Sequence, residues 1–290
     1  MKNILFLNGY SIYSKSHFRR ALRLAQRLEA TLHVAHIYDF RTDMPFNAQF
    51  LSDKEEFNQW LLDEQRRESL ELERFVVENT GKQNYQLIGE TYVIEGSVTE
   101  EVPRLLETTN FNLVVMGMQS HSILSYLLET NLTQYMVDTA KCPLLLLPPK
   151  ESTKPIKNIC FATDLKPGTM EAINYGFDLS LQLDAHFQLL TVVKTDDEIA
   201  TTNDRIDALQ QGIHGGFSSK LYYTIEVGNA ERKIRRFLSE ETVDLLILTT
   251  KQRKRWIDQF KQTVTKSLVR EAELPLLILK EDYVAGYRIL

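Results

Sequence analysis

Glycine, cysteine and long apolar runs are all scarce in this chain, and each scarcity excludes something. Glycine occurs 12 times in 290 residues, about 4% against a usual ~7%. A protein built on several glycine-rich phosphate loops would carry more. Two cysteines, Cys142 and Cys160, make neither a disulfide framework nor a zinc site. No apolar run approaches the ~18–20 residues of a membrane-spanning helix. The segment Met1–Leu7 turns polar too soon for a secretory signal, so a reducing cytoplasm is the expectation. Cationic excess is missing too: Lys+Arg 34 against Asp+Glu 39 gives a net charge of −5. The chain as a whole therefore attracts neither nucleic acid nor an anionic membrane, and neither is expected as a partner.

What is present is ordinary globular composition, 43% hydrophobic and 25% charged, over a length that suggests two domains. The chain repeats itself. Lys2-Asn3-Ile4-Leu5-Phe6 recurs as Lys157-Asn158-Ile159-Cys160-Phe161, a shift of 155. Further along, Phe111-Asn112-Leu113-Val114-Val115 recurs as Val243-Asp244-Leu245-Leu246-Ile247, and Pro143–Leu147 recurs as Pro275–Leu279, both at a shift of 132. The second half is the first with 23 residues removed from its middle. Between them, Pro148-Pro149-Lys150-Glu151-Ser152-Thr153-Lys154-Pro155 reads as an exposed linker. The domain boundaries are 1–148 and 156–281, with a linker at 149–155 and a tail at 282–290.

Short apolar runs alternate with helical periodicity in each half. Ile4–Leu7 and Leu32–Ile37 read as buried strands. The helix between them places Phe18, Ala21, Leu22, Ala25 and Leu28 on one face. Ser52-Asp53-Lys54-Glu55 is a capping box that opens a long helix with Phe57, Trp60, Leu61, Phe75 and Val76, and Gly81 is its stop. Two more helices repeat their core faces: Val98, Val102, Leu105, Leu106 map onto Ala230, Ile234, Phe237, Leu238, and Leu128, Leu132, Tyr135, Met136 map onto Phe260, Val264, Ser267, Leu268. Pro103 requires Thr99 to cap its helix, so that the proline stays in the first turn. Continuously apolar strands such as Leu113–Met116 imply a parallel sheet covered on both faces. The reading is α/β, with two tandem doubly wound, Rossmann-like domains.

On these motifs each half resembles a universal stress protein domain, and the chain resembles a tandem member of that family. The resemblance rests on the opening strand, the strand-glycine turns Glu95-Gly96-Ser97 and Val227-Gly228-Asn229, the apolar fourth strand, and Cys142-Pro143 or Leu274-Pro275 before the last strand. It implies an adenine nucleotide alpha hydrolase-like fold. It also implies an intramolecular pseudo-dimer made by the last strands, Leu144–Leu147 and Leu276–Leu279, with five strands in each half about a pseudo-two-fold axis. Nucleotide-binding members carry G-x2-G-x9-G-[ST] after the fourth strand, where backbone N–H groups can approach phosphates. That position here reads Gly117, Ser120, Thr130, Asn131 in the first half and Thr249, Gln252, Gln262, Thr263 in the second. The family's adenosine-side aspartate corresponds to Asp164 in the second half and to Gly9 in the first. The candidate cofactor-binding set is Gly117, Ser120, Thr130, Asn131, Asp164, Val193, Thr249 and Thr263. Each half has lost a different part of the motif. No cofactor is required on this reading, and ATP, ADP or AMP is expected in one domain at most.

Other features have a functional and a plain reading side by side. Lys251, Arg253, Lys254, Arg255 and Trp256 stand in place of the second phosphate loop, as a small anionic ligand's site or as a solvated basic turn. Asp164 either meets a ligand or caps the following helix. His33 and His36, three apart on a strand, point to opposite faces and cannot share a metal; His121 lies in the first half's loop, and no metal is expected. No nucleophile and base stand at catalytic spacing, so no catalytic residue is assigned. The function implied by the resemblance is non-enzymatic stress response through regulatory or scaffold-type binding to an unidentified protein partner, with homo-oligomers of the pseudo-dimer admitted. A nucleotide binder or slow ATP hydrolase working in one half is the alternative, and a small-anion module in the second half is another.

Overall fold

The computed structural model describes residues 2–43, 54–118, 135–137, 142–150, 154–166, 169–212, 221–250, 268 and 273–280. The chain divides into two compact units, Met1–Gly117 with Lys150–Ser152, and Met118–Pro149 with Thr153–Leu290.

The first unit runs β1 (Lys2–Leu7), α1 (Ser14–Arg27), β2 (Ala30–Tyr38), α2 (Phe40–Asp43), α3 (Lys54–Thr80), β3 (Ile88–Glu95), α4 (Val98–Thr108) and β4 (Leu113–Gly117). Its strands lie in the order β3-β2-β1-β4, all parallel. The second unit holds β5 (Leu144–Leu147), β6 (Asn158–Thr163), α5 (Met170–Leu183), β7 (His186–Val193), α6 (Glu198–Gly212), β8 (Tyr222–Val227), α7 (Ala230–Glu240), β9 (Leu245–Thr250) and β10 (Leu276–Lys280). Here the order is β5-β10-β9-β6-β7-β8. Only β5 runs against its neighbour, pairing Leu146 with Leu276, Leu145 with Leu277 and Leu144 with Ile278. The last strands of the two sequence repeats thus pair, and β5 belongs to the compact unit of the second repeat.

The internal repeat is also a repeat of hydrogen bonds. The Asn3 N–H donates to Asn112 Oδ1 and the Asn112 N–H returns to the Asn3 carbonyl; Asn158 and Asp244 make the same exchange. The Gly96 N–H donates to the Tyr38 carbonyl, and the Gly228 N–H to that of Val193, each at 2.8 Å. Both glycines have positive φ, 142° and 129°, a backbone that side-chain-bearing residues rarely adopt. Core faces repeat as well. Val102 and Leu105 are buried on α4 as Ile234 and Phe237 are on α7, and Met136 and Leu268 are both buried. Phe6, Phe18 and Phe75 join β1, α1 and α3 in edge-to-face contacts at 5.7 and 5.4 Å. That geometry favours aromatic rings beyond simple area burial.

Two local readings change. The α4 helix starts at Val98 with Ser97 at its N-cap position, and Pro103 stands inside it. The Ser97 carbonyl accepts the N–H groups of both Glu100 and Glu101 at 2.9 Å, so the backbone turns at Ser97 rather than at Thr99. Pro103 therefore falls in the second turn, where it leaves the Thr99 carbonyl without its i+4 donor. In the long α3, Phe75 and Val76 are buried, whereas Phe57, Trp60 and Leu61 are only half-buried. Gly81 ends it at φ 73°, while Ser52 and Asp53 of the capping box lie outside the described residues. At 27 residues against 15 for α6, α3 accounts for much of the extra length of the first half.

His33 is buried between Tyr92 and Phe111, and its Nδ1 accepts the Glu90 N–H at 3.1 Å. Burial holds its pKa below the ordinary 6.5, with Glu90 opposing. The unfolded chain therefore takes up this proton first, and stability falls as pH drops through about 6.5. Urea midpoints at pH 7.5 and 5.5 should differ more for the wild type than for His33→Gln. An unchanged difference would contradict this account of His33.

Candidate functional site

In doubly wound sheets the crevice for ligands opens at the carboxyl ends of the strands, where the strand order reverses. That point falls between β1 and β4 in the first unit and between β6 and β9 in the second. Register pairs Leu7 with Met116, which sets Asn8 and Gly9 beside Gly117. Likewise Ala162 pairs with Leu248 and Thr163 with Thr191, which sets Thr163 opposite Thr249, with Asp164 next along the chain and near Val193. Asp164, Val193 and Thr249 are thus brought to one end of the second unit's sheet. Ser120, Thr130, Asn131, Thr263, His121, Gln252, Gln262 and the cluster Lys251, Arg253, Lys254, Arg255 and Trp256 lie outside the described residues.

Both crevices are framed by the same turn. Asn8 Oδ1 accepts the Tyr10 N–H at 3.3 Å, and Thr163 Oγ1 accepts the Leu165 N–H at 3.0 Å. The donating residues, Tyr10 and Leu165, sit at left-handed φ of 49° and 51°. This conformation costs about 1–3 kcal/mol in a non-glycine residue, and the side-chain acceptor two residues earlier helps to hold it. Asn8 and Thr163 are equivalent under the shift of 155, a signal the sequence carried but that the family motif does not mark.

Side chains of α1 and β2 pack against the strand ends at the first crevice. His17 of α1 is buried, and a Cβ added to Gly117 would fall 2.6 Å from its Cε1 and closer still to Nδ1. Gly117 is thus explained by the imidazole packed on its Cα, without a phosphate. Beside it, His36 Nδ1 donates to the Asn8 carbonyl at 3.0 Å, since that carbonyl can only accept. Its Nε2 lies 3.2 Å from Glu68 Oε2 on α3. The Tyr10 ring meets the His36 ring edge-on at 4.5 Å and Phe75 at 5.9 Å. Burial pushes the Tyr10 hydroxyl's pKa up, as do the charges of Glu71 and Glu68, so the phenol is neutral at physiological pH. Tyr10 Oη and Asn8 Nδ2 are buried without hydrogen-bond partners among the described residues. His33 and His36 occupy opposite faces of β2, as their spacing requires.

The Asp164 carboxylate is 48% exposed and ion-paired with Lys166. It does not cap the following helix: Thr169 holds the N-cap position of α5, and its Oγ1 donates to the Lys166 carbonyl at 2.8 Å. Val193 is buried with its carbonyl committed to Gly228, and Thr249 is half-buried. An exposed carboxylate can accept hydrogen bonds from hydroxyls or N–H groups of a ligand. Burial pushes the Cys160 thiol up to about 12, too high for a nucleophile at neutral pH. Cys142 and Cys160 form no disulfide. Among the described residues no His, Cys, Asp and Glu cluster is arranged for a metal, and no helix is long and apolar enough to cross a membrane.

Gly117→Ala should destabilise the fold by roughly 1–3 kcal/mol through overpacking against His17. The same change made in a His17→Ala background should cost much less. Urea unfolding of the four proteins measures this coupling; strictly additive effects would show that His17 does not dictate the glycine.

Comparison with known proteins gives this geometry a lineage. The universal stress protein family matches residues 1–148 and 155–280. A universal stress protein from Archaeoglobus fulgidus DSM 4304 aligns over 96% of this chain and 98% of its own, at 12% identity and a TM-score of 0.72. A functionally unknown protein from Pseudomonas aeruginosa PAO1 covers 99% of this chain and 95% of its own, at 15% identity and 0.63. The cytoplasmic domain of a prokaryotic cation chloride cotransporter covers 98% and 99%, at 10% identity and 0.53. At such identities these structures share the fold and carry no assignment of activity. No curated protein matches the chain in sequence. With its two matched segments spanning nearly all of its length, the chain belongs to the universal stress protein family as a tandem of two domains.

Proposed function

We propose that the chain is a non-catalytic stress-response protein of the cytoplasm that acts by regulatory or scaffold-type binding to a protein partner. The observation that carries this reading is the first crevice, where His17 packs against Gly117 and accounts for that glycine without a phosphate. Gly9, in the position of the family's adenosine-side aspartate, offers no side chain there. The reading is also supported by the absence of glycine at Thr249, Gln252 and Gln262 in the second half, since their side chains oppose close backbone approach.

A second reading is favoured by one observation: the Asp164 carboxylate is exposed at the end of β6. On that reading the second half alone holds an adenine nucleotide or another small anionic ligand, and the halves differ strongly in affinity. A lost charge-assisted hydrogen bond costs ~1.5–3 kcal/mol, enough for tenfold weaker binding.

Thermal shift and calorimetry with ATP, ADP and AMP decide between them. A ligand at 100 times its Kd stabilises by ~2.7 kcal/mol. The proposal expects no shift with any of the three. A single-site shift abolished by Asp164→Ala would establish the second reading instead. Two equal tight sites would contradict both.

A further inference from the structure

The outer face of α3 serves neither the core nor the crevice. This helix is 27 residues long, about 40 Å at 1.5 Å per residue. Leu72, Phe75 and Val76 are buried on its inner side. Away from that side Leu62, Leu70 and Val77 are 50%, 62% and 55% exposed. Arg66 and Glu73 are exposed between them, with Ser69 half-buried at the centre. Positions 62, 66, 69, 70, 73 and 77 form one stripe, the spacing by which helices pair side by side.

The stripe is self-complementary. Reversed end for end about a point between Ser69 and Leu70, it sets Leu62 against Val77, Arg66 against Glu73, and Ser69 against Leu70. One two-fold axis satisfies all three matches at once and makes two Arg66–Glu73 pairs. That is the requirement of an isologous interface, in which the same patch serves both copies. The charges are available for it. Among the described residues Arg66 has only an exposed, 3.5 Å contact with Asp63 on its own helix. Glu73 has no ion-pair partner among the described residues.

We propose that a second copy of this chain docks antiparallel on this face, α3 against α3. The occupant is argued from the charge complementarity of the stripe with its own reverse. A contact of two helix faces falls below the ~1,200 Å² of a standard stable interface, so the dimer is weak, concentration-dependent and salt-sensitive. It is independent of the nucleotide question above.

Sedimentation equilibrium of the full-length chain, from micromolar to hundreds of micromolar and at low and high salt, tests it. The wild type should self-associate reversibly, and Leu70→Glu should be monomeric. Arg66→Glu and Glu73→Arg alone should each weaken association roughly tenfold or more by facing like charges across the axis. The double variant Arg66→Glu/Glu73→Arg should restore it. Since these positions are exposed, circular dichroism and thermal melts should match the wild type. A monomeric wild type, association indifferent to Leu70→Glu, or failure of the charge swap to restore it would each overturn the proposal. A monomer that instead holds a different protein or a lipid surface on this face would overturn it too.

Discussion

The antiparallel pairing of β5 with β10 is the contact on which the rest depends. Leu144–Leu147 is four consecutive leucines, all buried. Burial of a leucine side chain is worth roughly 1.5–3 kcal/mol, and a strand this apolar left at a sheet edge is an aggregation hazard. Pairing with Leu276, Leu277 and Ile278 supplies backbone partners and cover from within the same chain. Tethering holds the partner strand at high effective concentration. Neither repeat then needs a second copy to protect its last strand, which frees the two halves to diverge.

Their divergence is uneven, and the pattern is physical. Contacts that shape the backbone are duplicated: the Asn112 and Asp244 exchanges, the Gly96 and Gly228 turns, and the left-handed Tyr10 and Leu165. Residues at the strand C-termini have changed: Gly9 against Asp164, Tyr38 against Val193, Gly117 against Thr249. At these ends the first half packs imidazole and aromatic rings, His17 on Gly117 and Tyr10 on His36. The second keeps an exposed carboxylate. A doubly wound scaffold tolerates this because its stability lies in the sheet and the helix faces, while the strand ends are left to binding.

Much of the scaffold was legible from local pattern. The shifts of 155 and 132 located both repeats, the i, i+4, i+7 spacings found the core faces of α1, α4 and α7, and Gly81 marked the end of α3. The opposite directions of His33 and His36 followed from strand alternation. What escaped lies between residues far apart in the chain. Gly117 reads as a phosphate-loop glycine until His17, a hundred residues earlier, is found packed against it. The bridge from Asn8 through His36 to Glu68 joins three elements and leaves no trace in any one of them. Pro103 misled because its helix starts two residues earlier than Thr99 would have set it. The outer stripe of α3 was equally silent, since apolar residues on both sides of a helix blur its periodicity.

Hydrogen exchange tests the central contact most directly. If β5 is an integral strand of the second unit, amides of Leu144–Leu147 should exchange as slowly as those of Leu276–Leu279, and both should lose protection together as denaturant is raised. Rapid exchange across Leu144–Leu147 while Leu276–Leu279 stays protected would contradict the account.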